Sequence, residues 1–192
     1  MSKALWKSGT MVYPAPAVLV SCGTMDHPNL ITIAWTGTIC TNPAMAYISI
    51  RPERHSYDLI KDSKVFAINL TTKKMVRATD YCGVKSGRDV DKFKATGLTP
   101  IKGQLIDAPI VKESPLTMEC EVTEIIKLGS HDMFLAKVLG ITIEESLLDH
   151  TGKFRLDKAE LIAYSHGSYY SLSEVLGTFG YSIKKKTKKK HK

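Results

Sequence analysis

The chain has 192 residues, 43% of them hydrophobic and 24% charged, enough apolar material for one sizeable core and too much for a disordered chain. Its apolar runs are too short to span a membrane, and no signal-peptide core follows Met1–Trp6, so the expected compartment is the cytosol. The net charge of +8 suggests a polyanion until it is located: seven lysines fall in the last nine residues, and the rest of the chain is close to neutral.

In chain order, Ala17–Cys22 reads as a short apolar strand, and Gly23–Asn29 as a turn rich in Gly, Asp, Pro and Asn that leads into a second strand. Leu30, Ile31 and Ile33 up to Trp35 form that strand, and Met45, Tyr47, Ile48 and Ile50 a third. Between them Thr36, Gly37, Thr38, Thr41, Asn42 and Pro43 break the pattern and predict a small-residue loop. Apolar residues among charges between Glu53 and Lys64 predict a short helix that starts at a cationic turn. Val65–Leu70 is a core strand, Lys73–Tyr81 has helical spacing, and Cys82–Asp91 is a polar loop before a short helix that ends at Gly97. Leu116–Ile125 alternates as a strand with one wet face, Gly129–Asp132 turns it back, and Met133–Ile143 completes a long hairpin. At least six strands in meander order, with no repeated βαβ unit and no GxGxxG, predict a mainly β, antiparallel barrel with short helices in its connections.

Arg51, Arg54, His55 and Ser56 follow the third strand at the start of the predicted helix. Guanidinium forks, a hydroxyl and free helical N–H groups together suit a phosphate. The alternative is that Arg51 and Arg54 pair with Glu53, Asp58 or Asp62 on the surface. The small-residue loop could bring backbone N–H groups to a flat ligand. The stretch Asn29–Ser56, the later Ser86-Gly87-Arg88-Asp89-Val90-Asp91-Lys92-Phe93 and the Gly-Leu-Thr-Pro step at Gly97–Pro100 together resemble the flavin reductase-like family. That resemblance covers nearly the whole chain.

The resemblance implies an FMN-binding split barrel, Greek-key-like in its strand order, that works as a cytoplasmic homodimer. It implies that Ala34, Trp35, Thr36 and Thr38 hold the isoalloxazine, and that Arg51, His55 and Ser56 hold the phosphate, with Ser86 and Gly87 contributing from the later loop. Taken alone, Trp35 equally suits core packing, and Ser86-Gly87 a surface turn anchored by Phe93. The family's Gly-Asp-His turn, whose His approaches flavin and nicotinamide, is altered here to Gly129-Ser130-His131-Asp132. His131 is therefore the one catalytic candidate, weighed against a merely exposed turn histidine. His166, Tyr169 and Tyr170 could close the site or pack at a subunit boundary.

The implied activity is hydride transfer from NAD(P)H to FMN, with free flavin or a redox partner protein as acceptor. Its close alternative is a flavoredoxin-like electron carrier that binds FMN tightly. A reading of another class is a non-catalytic barrel whose basic tail holds RNA or an anionic surface. The lysines lack interleaved aromatics or arginines that would stack on bases, so the expectation is a single domain over residues 1–183 and a disordered Lys-rich tail at 184–192. Cys22, Cys40, Cys82 and Cys120 form no CxxC pair, and no His stands at zinc-finger spacing. No metal is expected and the thiols are read as free and mostly buried; Cys40 is either reactive or a small packed residue.

Overall fold

A computed structural model describes residues 1–183, and the tail predicted at 184–192 lies outside the described residues. The strands, in chain order, are β1 (Ala15–Pro16), β2 (Val18–Gly23), β3 (Pro28–Ile33), β4 (Thr36–Cys40) and β5 (Met45–Ile50). Helix α1 (His55–Ser63), β6 (Val65–Asn69), α2 (Val76–Val84), α3 (Lys92–Thr96), β7 (Pro100–Lys102) and β8 (Pro109–Val111) follow. The chain then forms β9 (Leu116–Lys127), β10 (Asp132–Ile143), β11 (Ile162–Ser165) and β12 (Ser168–Ser171).

Seven strands make one antiparallel sheet in the order β3-β2-β6-β9-β10-β5-β4. The sheet curls until β3 and β5 meet across it, the mainly β barrel that the sequence predicts. The strand order is not a meander. Within this sheet, sequence neighbours pair only in the hairpins β2/β3, β4/β5 and β9/β10, and β6 enters between β2 and β9. Two small sheets flank it, β1-β11-β12 and β7-β8.

Period-two alternation explains the barrel core. Val18 and Val20 of β2, Ile31 and Ile33 of β3, Ile48 and Ile50 of β5, Phe66 and Ile68 of β6, and Phe134 and Ala136 of β10 share one buried cluster with Tyr57 and Ile60 of α1. The opposite face of β2 and β3 is buried as well: Leu19 and Leu30 pack with Met75, Cys82 and Phe93 from the segment carrying α2 and α3. Cover on both faces accounts for the near-continuous burial of β2, in which Ser21 is the one polar side chain.

The predicted loop from Thr36 to Pro43 is largely a strand. Thr36–Cys40 pairs with β5 as an edge strand, with a register shift between Thr38 and Cys40, and only Thr41–Ala44 remains as turn. An edge strand needs one partner, so a small-residue sequence suffices: a Cβ on Gly37 would sit 3.1 Å from the Tyr47 ring. Helix α2 runs to Val84, shortening the predicted loop by its first residues. The wet face predicted for β9 is also partly dry. Glu119 is buried, and its carboxylate accepts from the backbone N–H groups of Gln104 at 3.2 Å, Leu105 at 2.7 Å and Ile106 at 3.1 Å. This carboxylate pins a segment whose Ile106, Ala108 and Ile110 pack on Ala67.

Candidate functional site

Strand β3 ends at Ile33 and the chain bends at Ala34–Trp35 before β4 begins. The bend is fixed by the Ser49 N–H, which donates to the Trp35 carbonyl at 2.9 Å, and β3 is tied to α2 by the Thr32 hydroxyl on the Thr79 carbonyl. A cavity of about 290 Å³ opens along this edge. It is lined by Ile31–Trp35 and Ser49–Arg51, and Ala17, Arg54, His131, Tyr164 and Tyr169 complete the lining. Tyr169 donates to Asp80 of α2 at 3.3 Å, while Tyr164 stands edge-on to Tyr169 with ring centroids 5.5 Å apart.

Arg51 and Arg54 bound a tight turn closed by the Arg54 N–H on the Arg51 carbonyl at 3.0 Å. Arg54 is the N-cap of α1, with extended backbone and no side-chain cap on the first turn, as the sequence places it. Arg51 meets Glu53 at 3.4 Å with both side chains largely exposed, an ion pair of small energetic weight. Arg54 forms no ion pair among the described residues.

Beyond the first turn of α1 lies a second cavity of about 600 Å³, lined by His55, Gly87, Arg88 and Asn29 among others. Asn29 holds this corner together. Its Nδ2 donates to the Ser56 hydroxyl at 2.7 Å and approaches the Cys22 sulfur at 3.5 Å, while a Cβ on Gly87 would overlap its Oδ1. Lys92, the first residue of α3, is buried with its Nζ on the carbonyls of Leu30 at 2.7 Å and Cys82 at 2.9 Å.

The electrostatics follow from this packing. Burial lowers the proton affinity of Lys92, the largest cause of its shift. Partial burial, then the Arg88 and Lys92 charges, hold His55 below its ordinary value. Partial burial, then Arg51, do the same for His131. Burial pushes the Cys22 thiol up to about 11, so this sulfur is inert near neutrality. Among the described residues there is no His/Cys/Asp/Glu group that could hold a metal ion, and all four cysteines are free.

The predicted residues divide among these surfaces. Ala34, Trp35, Arg51 and His131 come together in the first cavity, and His55 and Gly87 line the second. Ser56 is buried as the partner of Asn29. Ser86 is half-buried, its hydroxyl accepting from the Arg88 N–H at 3.2 Å. Thr36 turns inward, donates to the Tyr47 carbonyl at 2.6 Å and borders a separate cavity of about 360 Å³ under residues 9–16. Thr38 is exposed on β4 and borders none of these cavities.

His131 lines the cavity with its ring centroid 4.3 Å from that of Trp35, tilted by 45°. Of the C-terminal aromatics, Tyr169 lines the cavity, Tyr170 is exposed, and His166 packs edge-on to Tyr13. Thr32, Asn29 and Lys92 complete the corner without having been singled out as binding residues, and Arg54, named with the phosphate-suited cluster, lines the first cavity. A polar Asn opening an apolar strand is a signal for one of them. Lys92 belongs to the Ser86–Phe93 run that carries the family resemblance, but nothing in that charged stretch signals its burial.

A planar ring fits the β3 wall and Trp35, and a phosphate fits Arg54 with the uncapped turn of α1. The chain matches the flavin reductase like domain over residues 10–173. An uncharacterized protein of Pyrococcus abyssi is 30% identical over 139 residues, covering 72% of this chain and 80% of that protein. The flavoredoxin of Desulfovibrio vulgaris (Miyazaki F) superposes with a TM-score of 0.88 at 31% identity, covering 96% of this chain and 100% of the other. The flavoredoxin from Methanosarcina acetivorans gives 0.85 at 25% identity, covering 96% and 100%. Sequence and fold together place the chain in the flavin reductase like domain family.

Proposed function

We propose that the chain is an FMN-binding flavoprotein that holds the isoalloxazine in the cavity along Ile31–Trp35 and the phosphate at Arg54 and the first turn of α1. One observation carries the reading: an apolar strand wall ending in Trp35 shares a cavity with Arg54, an arginine that forms no ion pair among the described residues. A dry wall alone would suit many apolar ligands, and a cationic turn alone many anions. Their union selects a ring that carries a phosphate.

When bound, the flavin supplies hydride acceptance, chemistry that side chains lack. The protein's part is placement. The bend at Ala34–Trp35 supports the ring, and Tyr164 and Tyr169 shield it from water. His131, its proton affinity lowered by partial burial and then by Arg51, lines the cavity beside Trp35. His55 and Gly87 extend the anion-binding end beyond Arg54.

In this reading NAD(P)H is the electron donor, and free flavin or a partner protein the acceptor. A tightly bound FMN serving only a protein partner is the second reading, supported by the likeness to two flavoredoxins and by Ser130 in place of the expected Asp. We also propose a cytosolic homodimer. The support is a set of exposed apolar side chains near both ends, Leu5, Trp6 and Val12, and Leu176, Phe179 and Ile183, which a second copy would cover. Light scattering should give twice the chain mass.

The decisive experiment is a visible spectrum of the purified protein with titrations of FMN and riboflavin. FMN should bind more tightly, with its fluorescence quenched. No flavin band and no quenching would remove the reading. Rapid NADH or NADPH oxidation with weakly held FMN identifies a reductase, and tight FMN with slow oxidation a carrier.

A further inference from the structure

Tyr57 and Asp132 form a buried pair beside the proposed flavin site. The Tyr57 hydroxyl donates to Oδ2 of Asp132 at 2.6 Å, and the two residues are 8% and 5% exposed. Each follows a residue of interest: Tyr57 comes after Ser56 in the first turn of α1, and Asp132 comes after His131 as the first residue of β10. The Tyr57 ring stands edge-on to Phe134, centroids 5.2 Å apart, so the phenol is fixed in the core. Asp132 faces Ile50 across one ladder and Lys127 across the other.

His131 is held from several sides. Its carbonyl accepts from Leu128 N–H at 3.2 Å, its Nδ1 lies 3.0 Å from the Ser130 hydroxyl, and its ring lies on Trp35. No hydrogen bond engages Nε2 among the described residues. The charged groups acting on the imidazole are Arg51, Glu53 and Arg54. Asp132, although adjacent in sequence, is spent on the Tyr57 hydroxyl.

An apolar pair of similar volume would hold α1 against β10 at least as well, because burying a charge costs desolvation that its partner rarely repays in full. What a short hydrogen bond adds is one defined geometry. We propose that Asp132 and Tyr57 are positioning residues for His131: their bond fixes the start of β10 against α1, and so fixes the imidazole beside Trp35 in the cavity lining. The geometry stands without ligand, and the consequence for electron transfer rests on the flavin reading. The same bond ties α1, which carries the proposed phosphate end, to the β9–β10 turn that carries His131.

The test needs no flavin. With Trp6→Phe, Trp35 is the remaining tryptophan, since the chain has two. A protonated imidazole in contact with an indole quenches its emission, so lowering the pH from 8 to 5 should dim Trp35 in a step that His131→Gln abolishes. In the full chain, Tyr57→Phe and Asp132→Asn should each cut the amplitude of that step at least about threefold while far-UV circular dichroism stays unchanged. Full amplitude in both variants would overturn the proposal. So would loss of the fold in both, since the pair would then serve the core and not His131. The flavin titrations are read separately: their failure removes the functional reading and leaves this measurement meaningful.

Discussion

Asn29 donates from its Nδ2 to the Ser56 hydroxyl at 2.7 Å, joining the start of β3 to the first turn of α1. The Oδ1 of the same side chain lies where a Cβ on Gly87 would fall, and that Cβ would also come within 2.9 Å of the His55 ring. Three segments far apart in sequence therefore meet at the proposed anion-binding end of the site. Gly87→Ala forces one of them aside. The expected result is FMN affinity lowered about tenfold, the equivalent of one charge-assisted hydrogen bond at the low end of its range, with riboflavin changed less than about twofold. Paired fluorescence titrations measure both.

The two arginines of the turn should differ. Arg51 shares its charge with Glu53 at the exposed rim, whereas Arg54 forms no ion pair among the described residues and caps α1. Arg54→Ala should cost about 10- to 100-fold in FMN affinity, and Arg51→Ala about threefold, with riboflavin little affected by either. Equal losses for FMN and riboflavin in Arg54→Ala would show that the guanidinium contacts the ring.

Thr36 and Thr38 separate structure from binding. Thr38 is exposed on β4, so Thr38→Ala should leave flavin affinity within about twofold of the parent. Thr36 donates to the Tyr47 carbonyl from a buried position, and Thr36→Val should cost about 1 kcal/mol in a urea titration.

Stability should fall as the solution is acidified from pH 7 toward pH 5. Burial first, and then neighbouring cations, hold the folded-state affinities of His55 and His131 for protons below the ordinary 6.5. Below that value the unfolded chain takes up protons that the folded chain refuses, so the unfolded state gains. The thermal midpoint should drop across this window, and His55→Gln with His131→Gln should flatten the drop. Inorganic phosphate, by favouring the charged form of His55, should flatten it too.

Much of the fold was legible because its signal is local. The alternation in β3, β5 and β10 marks which residues enter the barrel, and the glycine after Thr96 marks the end of α3 with a left-handed residue. Strand β4 was not legible, since Thr36-Gly37-Thr38 has neither the bulk nor the alternation of a strand and becomes one only by pairing with β5. Glu119 read as solvated because its burial depends on a segment that follows α3 and returns over the sheet. At the site, Trp35, Arg51 and His131 were recognisable as residue types at strand ends, and the barrel brings them to one cavity. The roles of Asn29 and Lys92 depend on contacts 27 and 62 residues away, a separation no local pattern encodes.

The Glu119 carboxylate gives the chain a unit of motion that its strands do not define. Gln104, Leu105 and Ile106 donate their amides to one side chain, so none of the three can be released by fraying from an end, as in a helix. They must open together, with rehydration of that one charge and exposure of Ile106, Ala108 and Ile110. Hydrogen exchange should report a shared rate for all three amides, slower than a surface loop permits and faster than the barrel.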